Sequence, residues 1–168
     1  MAIKQFNGEW VAAEDRILFR VSTSEGQEFL FWLTRHIVKH FLAACRQLSV
    51  QTLAQRHPPP VAEAVHAFQQ ESLVQRLDFQ QAYEPQPARP LGDAPALVTG
   101  LHMSHAGVEI TVDLDTVTGA RAHLQLNDDL LRIWVGLLDK LQSVAGWDIA
   151  APDVPVALVT EPASAQVH

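Results

Sequence analysis

At 168 residues and 48% apolar, the chain is long enough to bury one core and short for two. Its 19 acidic and 12 basic residues leave a net charge of -7, and no run of lysine and arginine forms a stripe that could displace counterions from a phosphate backbone, so no nucleic-acid partner is expected. The opening MAIKQFNGEW lacks the apolar core of a signal peptide, and the longest strongly apolar run, Phe29 to Leu33, is far too short to cross a bilayer. We expect a soluble, cytoplasmic protein with no membrane partner.

Taken in chain order, IKQFNGEWVAA reads as a first strand, or a hairpin turning on Asn7-Gly8. Ile17 to Thr23 alternates, with Ile17, Phe19 and Val21 on the face expected to meet the core. The next run, EFLFWL, is apolar on both faces: Phe29, Phe31 and Leu33 on one, Leu30 and Trp32 on the other. Such a strand must be covered twice. A helix then follows from about Arg35 to Leu48, with Ile37, Val38, Phe41, Leu42, Cys45 and Leu48 on its apolar stripe. After a connector over residues 50 to 60 that ends in three prolines, Val61, Val65, Phe68, Leu73 and Leu77 mark a middle helix over about 61 to 83. The proline-rich EPQPARPLGDAP is a stiff linker. Beyond it, ALVTGLHM, Val108 to Asp115 and Arg121 to Leu126 read as strands, and Asn127 opens a helix with Asp128 and Asp129 in its first turn. Gly146 is a stop signal, and residues 150 to 168 have the composition of a tail.

These elements echo one another. Residues 17 to 48 lie over residues 110 to 141 without a gap, at a constant offset of 93 that stacks Ile17 on Ile110, Gly26 on Gly119 and Leu48 on Leu141. The two glycines fall where a short hairpin loop needs positive φ, and Thr34 and Asn127 both stand where a helix needs a cap. Either one unit has been used twice, or two independent units share the chemistry of hairpins and caps. The expected fold is therefore α+β: a single domain over 1–149 with two strand-rich units at about 3–49 and 96–142, each of about three strands and one helix, and a third helix between them.

The stretch EDRILFRVSTSEGQEFLFWLTRH, with FQQESLVQRLDF and PLGDAPALVTG, resembles a family of small uncharacterised proteobacterial proteins over roughly residues 14 to 147. The resemblance implies no activity and no binding residue. Arg35-His36 stands where that family leads one to expect two arginines, which argues against a fixed cationic site there.

Candidates for chemistry are few. His36 and His40 are one helical turn apart, a geometry that can hold a metal, with His102 and His105 as further ligands in principle; two solvated histidines are the simpler reading. Asp113 and Asp115 share a strand face and could mimic a carboxylate pair, although outer-face placement explains Asp113 and a helix N-terminus explains Asp128 and Asp129. Cys45 lies on the apolar side of its helix and reads as a packed thiol, and Phe29, Phe31, Trp32 and Trp134 read as core aromatics. No metal or cofactor is expected. The sharper asymmetry is on the second strand of each hairpin, where Leu30 and Trp32 in the first unit correspond to His123 and Gln125 in the second. Leu30 and Trp32 are the expected interface residues, covered either by the middle helix or by another copy of the chain. The expected function is a non-catalytic interaction or assembly protein whose partner is protein, self-association included; the alternative is a small-ligand binder or enzyme with a site in a cleft between the units.

Overall fold

A computed structural model describes residues 3–54, 83–106 and 109–149. Their elements are β1 (Ile3–Val11), β2 (Arg16–Thr23), β3 (Glu28–Leu33), α1 (Arg35–Ala54), β4 (Ala96–Ala106), β5 (Glu109–Thr116), β6 (Arg121–Leu126) and α2 (Asp128–Val144). The fold is α+β. One six-stranded sheet runs in sequence order, antiparallel throughout except at its middle, where β3 and β4 pair in parallel with Phe31 opposite Ala96 and Trp32 opposite Leu97. Among the described residues there are two helices; the middle helix expected over about 61–83 lies outside them except for Tyr83, which is not helical.

Both hairpin turns rest on the same bonds. In the first, Thr23 N–H donates to the Gln27 carbonyl and Gly26 N–H to the Thr23 carbonyl; in the second, Thr116 N–H donates to Ala120 and Gly119 N–H to Thr116. Gly26 and Gly119 take φ values of 75° and 82°, a region that a β-carbon disfavours. Ile17 then pairs with Leu33 and Ile110 with Leu126, the same register in each hairpin. Each β-ladder hands over to a capped helix: the Thr34 hydroxyl accepts from Ile37 N–H at 3.3 Å, and the Asn127 carboxamide oxygen from Leu130 N–H at 2.8 Å.

The outer strands match less simply. Gln5 stands opposite Ser22 and Gly100 opposite Asp115, so β1 and β4 correspond at a spacing of 95 while their partners keep 93. Four residues separate β1 from β2 and only two separate β4 from β5, which accounts for the difference. Both outer strands also carry an irregularity at equivalent places, between Ile3 and Gln5 and between Val98 and Gly100.

Each helix packs across the sheet rather than only on its own hairpin. α1 lies on β3 and β4, α2 lies on β1, β5 and β6, and the helices touch one another. The inner sheet face supplies Ile17, Phe19, Val21, Phe31, Val112, Leu114 and Leu124, and the helices supply Val38, Phe41, Cys45, Leu131, Trp134 and Leu138. Trp134, 1% exposed, stacks on Phe19 with ring centroids 4.7 Å apart and meets Phe41 at 4.4 Å. Burial of this apolar surface is the main stabilising term.

Of the two readings of IKQFNGEWVAA, the single strand holds and the hairpin does not: β1 runs straight through Asn7-Gly8, with Asn7 opposite Arg20 and Gly8 opposite Phe19. The glycine serves helix packing, because a β-carbon there would come within 2.6 Å of Leu141 Cδ1 and 3.3 Å of Leu137 Cδ2. The first helix does not end near Leu48 but continues to Ala54, since Ser49 to Ala54 contains neither Gly nor Pro to stop it. Gly146, by contrast, ends α2 as expected. At φ 64° it donates to the Ser143 carbonyl while Trp147 N–H donates to Gln142, a Schellman closure that turns the Trp147 ring into the core. The Trp147 indole N–H then reaches Asp15 in the β1–β2 loop at 2.8 Å.

Candidate interaction surface

Both described helices lie on the face of Phe19 and Phe31, so the other face of the sheet is free of them. Its side chains fall in cross-strand rows. Gln5, Ser22 and Glu28 form one row, Asn7, Arg20 and Leu30 the next, and Glu9, Leu18, Trp32 and Leu97 a third. In the other half the rows are Gly100, Asp115 and Arg121; His102, Asp113 and His123; and Ser104, Thr111 and Gln125.

Leu18, Leu30, Trp32 and Leu97 are half-buried and adjoin: Trp32 is flanked by Leu18 on β2 and Leu97 on β4, and Leu30 precedes it by two on the same face. The pair Leu30 and Trp32 was legible from the alternation of EFLFWL. Leu18 carries no comparable signal in its alternating strand, and the place of Leu97 depends on a parallel pairing across a span of 65 residues. On one side the apolar area is bounded by Arg20, whose guanidinium donates to Asn7 Oδ1 at 3.2 Å and Glu9 Oε2 at 3.1 Å.

The first row is roofed by the linker. Glu28, 2% exposed, accepts from Arg89 Nε at 2.8 Å while its backbone N–H donates to the Ala88 carbonyl at 2.7 Å. Tyr83 brings its buried hydroxyl beside Glu28 and Ser22 without a well-aligned hydrogen bond to either. Burial first, and the Glu28 carboxylate second, push its acidity well below that of a free phenol. Lys4 and Glu84 pair at 3.3 Å at the edge of the same crossing. A buried carboxylate is tolerated only with such a partner, so Glu28 fixes where the linker lies.

The second half of this face is ionic. Asp115 accepts from Arg121 Nε at 2.6 Å and lies 3.2 Å from His102 Nε2; Asp113 lies 2.5 Å from His123 Nδ1. The Arg121 hydrogen bond, against the opposing effect of desolvation, holds the Asp115 carboxyl below the usual range. The two aspartates therefore belong to a cross-strand ladder, Asp115 with Arg121 and His102 and Asp113 with His123, and do not form a shared-proton pair.

The remaining candidates do not join this surface. His36 and His40 pack edge to face with centroids 4.3 Å apart on the exposed side of α1. His102 and His105 point to opposite faces of β4, with His105 opposite Ile110 on the inner one. Among the described residues no three His, Cys, Asp or Glu side chains are grouped to hold a metal ion. Asp128 and Asp129 occupy the first turn of α2, where Asp128 pairs with Arg132 at 2.9 Å. Cys45 is buried between the helices, and desolvation, with a smaller contribution from Asp139, pushes its thiol well up, away from the reactive thiolate form. No described helix is long and apolar enough to cross a membrane.

No family model matches the chain, and comparison with curated proteins and with solved structures finds no match.

Proposed function

We propose that this is a non-catalytic interaction or assembly protein that docks another protein chain, a second copy of itself included, on the Leu18, Leu30, Trp32 and Leu97 area. The observation that carries the reading is a tryptophan and three leucines adjoining on a sheet face that neither described helix covers. Aromatic and aliphatic side chains with partial exposure, bounded on one side by the Arg20–Glu9 ion pair, have the composition of an interface core and part of its rim. The ligand-binding alternative needs an opening between the two strand sets. At that junction β3 and β4 instead pair directly, which favours the interaction reading.

The architecture fits one βββα unit used twice within a single domain over 1–149. Matched turns, matched caps, one hairpin register and equivalent irregularities in β1 and β4 support duplication over chance likeness.

Replacing Trp32 with alanine tests the interaction. Because the ring is only half-buried, the change should cost about 1–2 kcal/mol of folding stability, below the range for an emptied core aromatic. Under the proposal, sedimentation of the full chain shows association in the parent that Trp32→Ala weakens, or a protein captured by the parent escapes the variant. Unchanged association and capture by a folded Trp32→Ala variant would remove the basis of the reading.

A further inference from the structure

The two helices begin from equivalent capped positions but carry opposite charge. α2 opens with Asp128 and Asp129, which suit the positive end of a helix dipole. α1 opens with Arg35 and His36, has no acidic residue in its first turn, and adds Lys39 and His40 one turn later. All four are exposed. Local stability does not explain this choice, because cations near a helix N-terminus are unfavourable. Nor do partners neutralise it. Lys4, Arg16, Arg20, Arg89, Arg121 and Arg132 each hold a carboxylate, whereas among the described residues Arg35 and Lys39 hold none. The histidine rings are crowded together at 4.3 Å, and partial desolvation, then the charges of His36 and Lys39, disfavour protonation of His40. In a chain of net charge -7 this is an uncompensated basic face.

We propose that the solvent face of α1, where Arg35 and Lys39 supply the charge beside the His36 and His40 rings, docks an acidic protein segment through charge complementarity. It is an exposed patch and not a preorganised pocket. A nucleic acid fits less well: a short strip neutralises too few phosphates, and the net charge of the chain repels a long polyanion. A membrane fits less well because the apolar stripe of α1, from Ile37 to Leu48, is spent in the core and leaves nothing to insert. The face points away from the sheet, opposite the Trp32 area, so the inference goes beyond the reading above and does not depend on it.

Titration of the full-length protein with a fluorescent polyglutamate peptide at low salt tests the proposal. The expected result is binding that weakens with added salt and falls about tenfold or more in Arg35→Glu/Lys39→Glu. The same double reversal should raise the melting midpoint, since it gives α1 the acidic first turn that α2 has. Such opposite movement of binding and stability is not expected of a merely structural pair. On the parent protein, peptide addition should shift the ring resonances of His36 and His40 and leave those of His102 unmoved. Trp32→Ala should bind the peptide as the parent does. No binding at low salt, binding unaffected by the reversal, or shifts centred elsewhere would overturn the proposal. Preference for phosphatidylserine vesicles or single-stranded DNA through these residues would overturn the assignment of partner, as would self-association abolished by the reversal.

Discussion

The half formed by β1, β2, β3 and α1 and the half formed by β4, β5, β6 and α2 share strand order, hairpin register and helix caps, yet they treat their two sheet faces differently. Inward, equivalent positions stay apolar while size is exchanged: Phe19 answers Val112, Phe29 answers Ala122 and Phe31 answers Leu124, while on the helices Phe41 answers Trp134. Outward, Leu30 and Trp32 answer His123 and Gln125, and Ser22 and Glu28 answer Asp115 and Arg121. The inner face is constrained by one shared core, where volume lost in one half is supplied from the other. No such constraint acts outward. There the first half carries an apolar area and a linker roof, and the second carries a solvated ionic ladder.

The largest expected effect tests the exchange of volume. Trp134 stacks on Phe19 and abuts Phe41, its own counterpart in the other helix. Trp134→Ala and Phe41→Ala should each cost about 3–5 kcal/mol by urea denaturation, the range for emptying a large aromatic site. Because the rings touch, the double variant should cost less than the two losses together, if the chain folds at all. Strict additivity would mean that the halves do not share this contact.

A smaller effect separates β1 from β4. Gly8, opposite Phe19, leaves room for Leu141 and Leu137, whereas its equivalent on β4, Met103 opposite Val112, is itself a core side chain. Gly8→Ala should lose about 1–3 kcal/mol by overpacking, and Met103→Leu less than about 1.5 kcal/mol as a volume-conserving change. Shortening Leu141 to alanine should recover part of the Gly8→Ala loss, since the close approach is to the end of that side chain. If the Gly8→Ala loss persists in full, the backbone and not Leu141 sets the limit.

Gly8 also marks where the amino-acid order alone stops short. Hairpins at Gly26 and Gly119, the caps Thr34 and Asn127 and the stop at Gly146 were legible because each is decided within a few residues. Asn7-Gly8 carries the local signature of a turn, but the chain is straightened there by a helix more than 120 residues away. For the same reason the buried Glu28 could not be foreseen: at the edge of EFLFWL it resembles an exposed strand residue, and only Arg89, 61 positions on, makes its burial tolerable. Of the candidate surface, Leu30 and Trp32 follow from strand alternation, and Leu97 joins them only through the parallel β3–β4 pairing.

The smallest expected effect lies between the helices, where the charge at one position acts on its equivalent: Arg46 in α1 on Asp139 in α2. Desolvation raises the Asp139 carboxyl above its ordinary value, and the Arg46 charge opposes the rise without cancelling it. A carboxyl whose folded value is raised stabilises the protein while it is protonated, below its unfolded value, and that contribution is lost as pH rises through the folded value. Asp139→Asn should therefore stabilise the protein at neutral pH, and the gain over the parent should shrink as pH falls through the raised carboxyl range. Asp115 provides the opposite sign. Its carboxyl is held low, chiefly by the hydrogen bond from Arg121, so its contribution is present above the unfolded value and is lost as pH falls through the folded one. Asp115→Asn should destabilise at neutral pH and converge on the parent in acid. Urea midpoints of the three proteins across pH check both signs at once. If Arg46 outweighs burial at Asp139, its curve will follow that of Asp115, and the helix contact will be an ion pair instead of a desolvated acid.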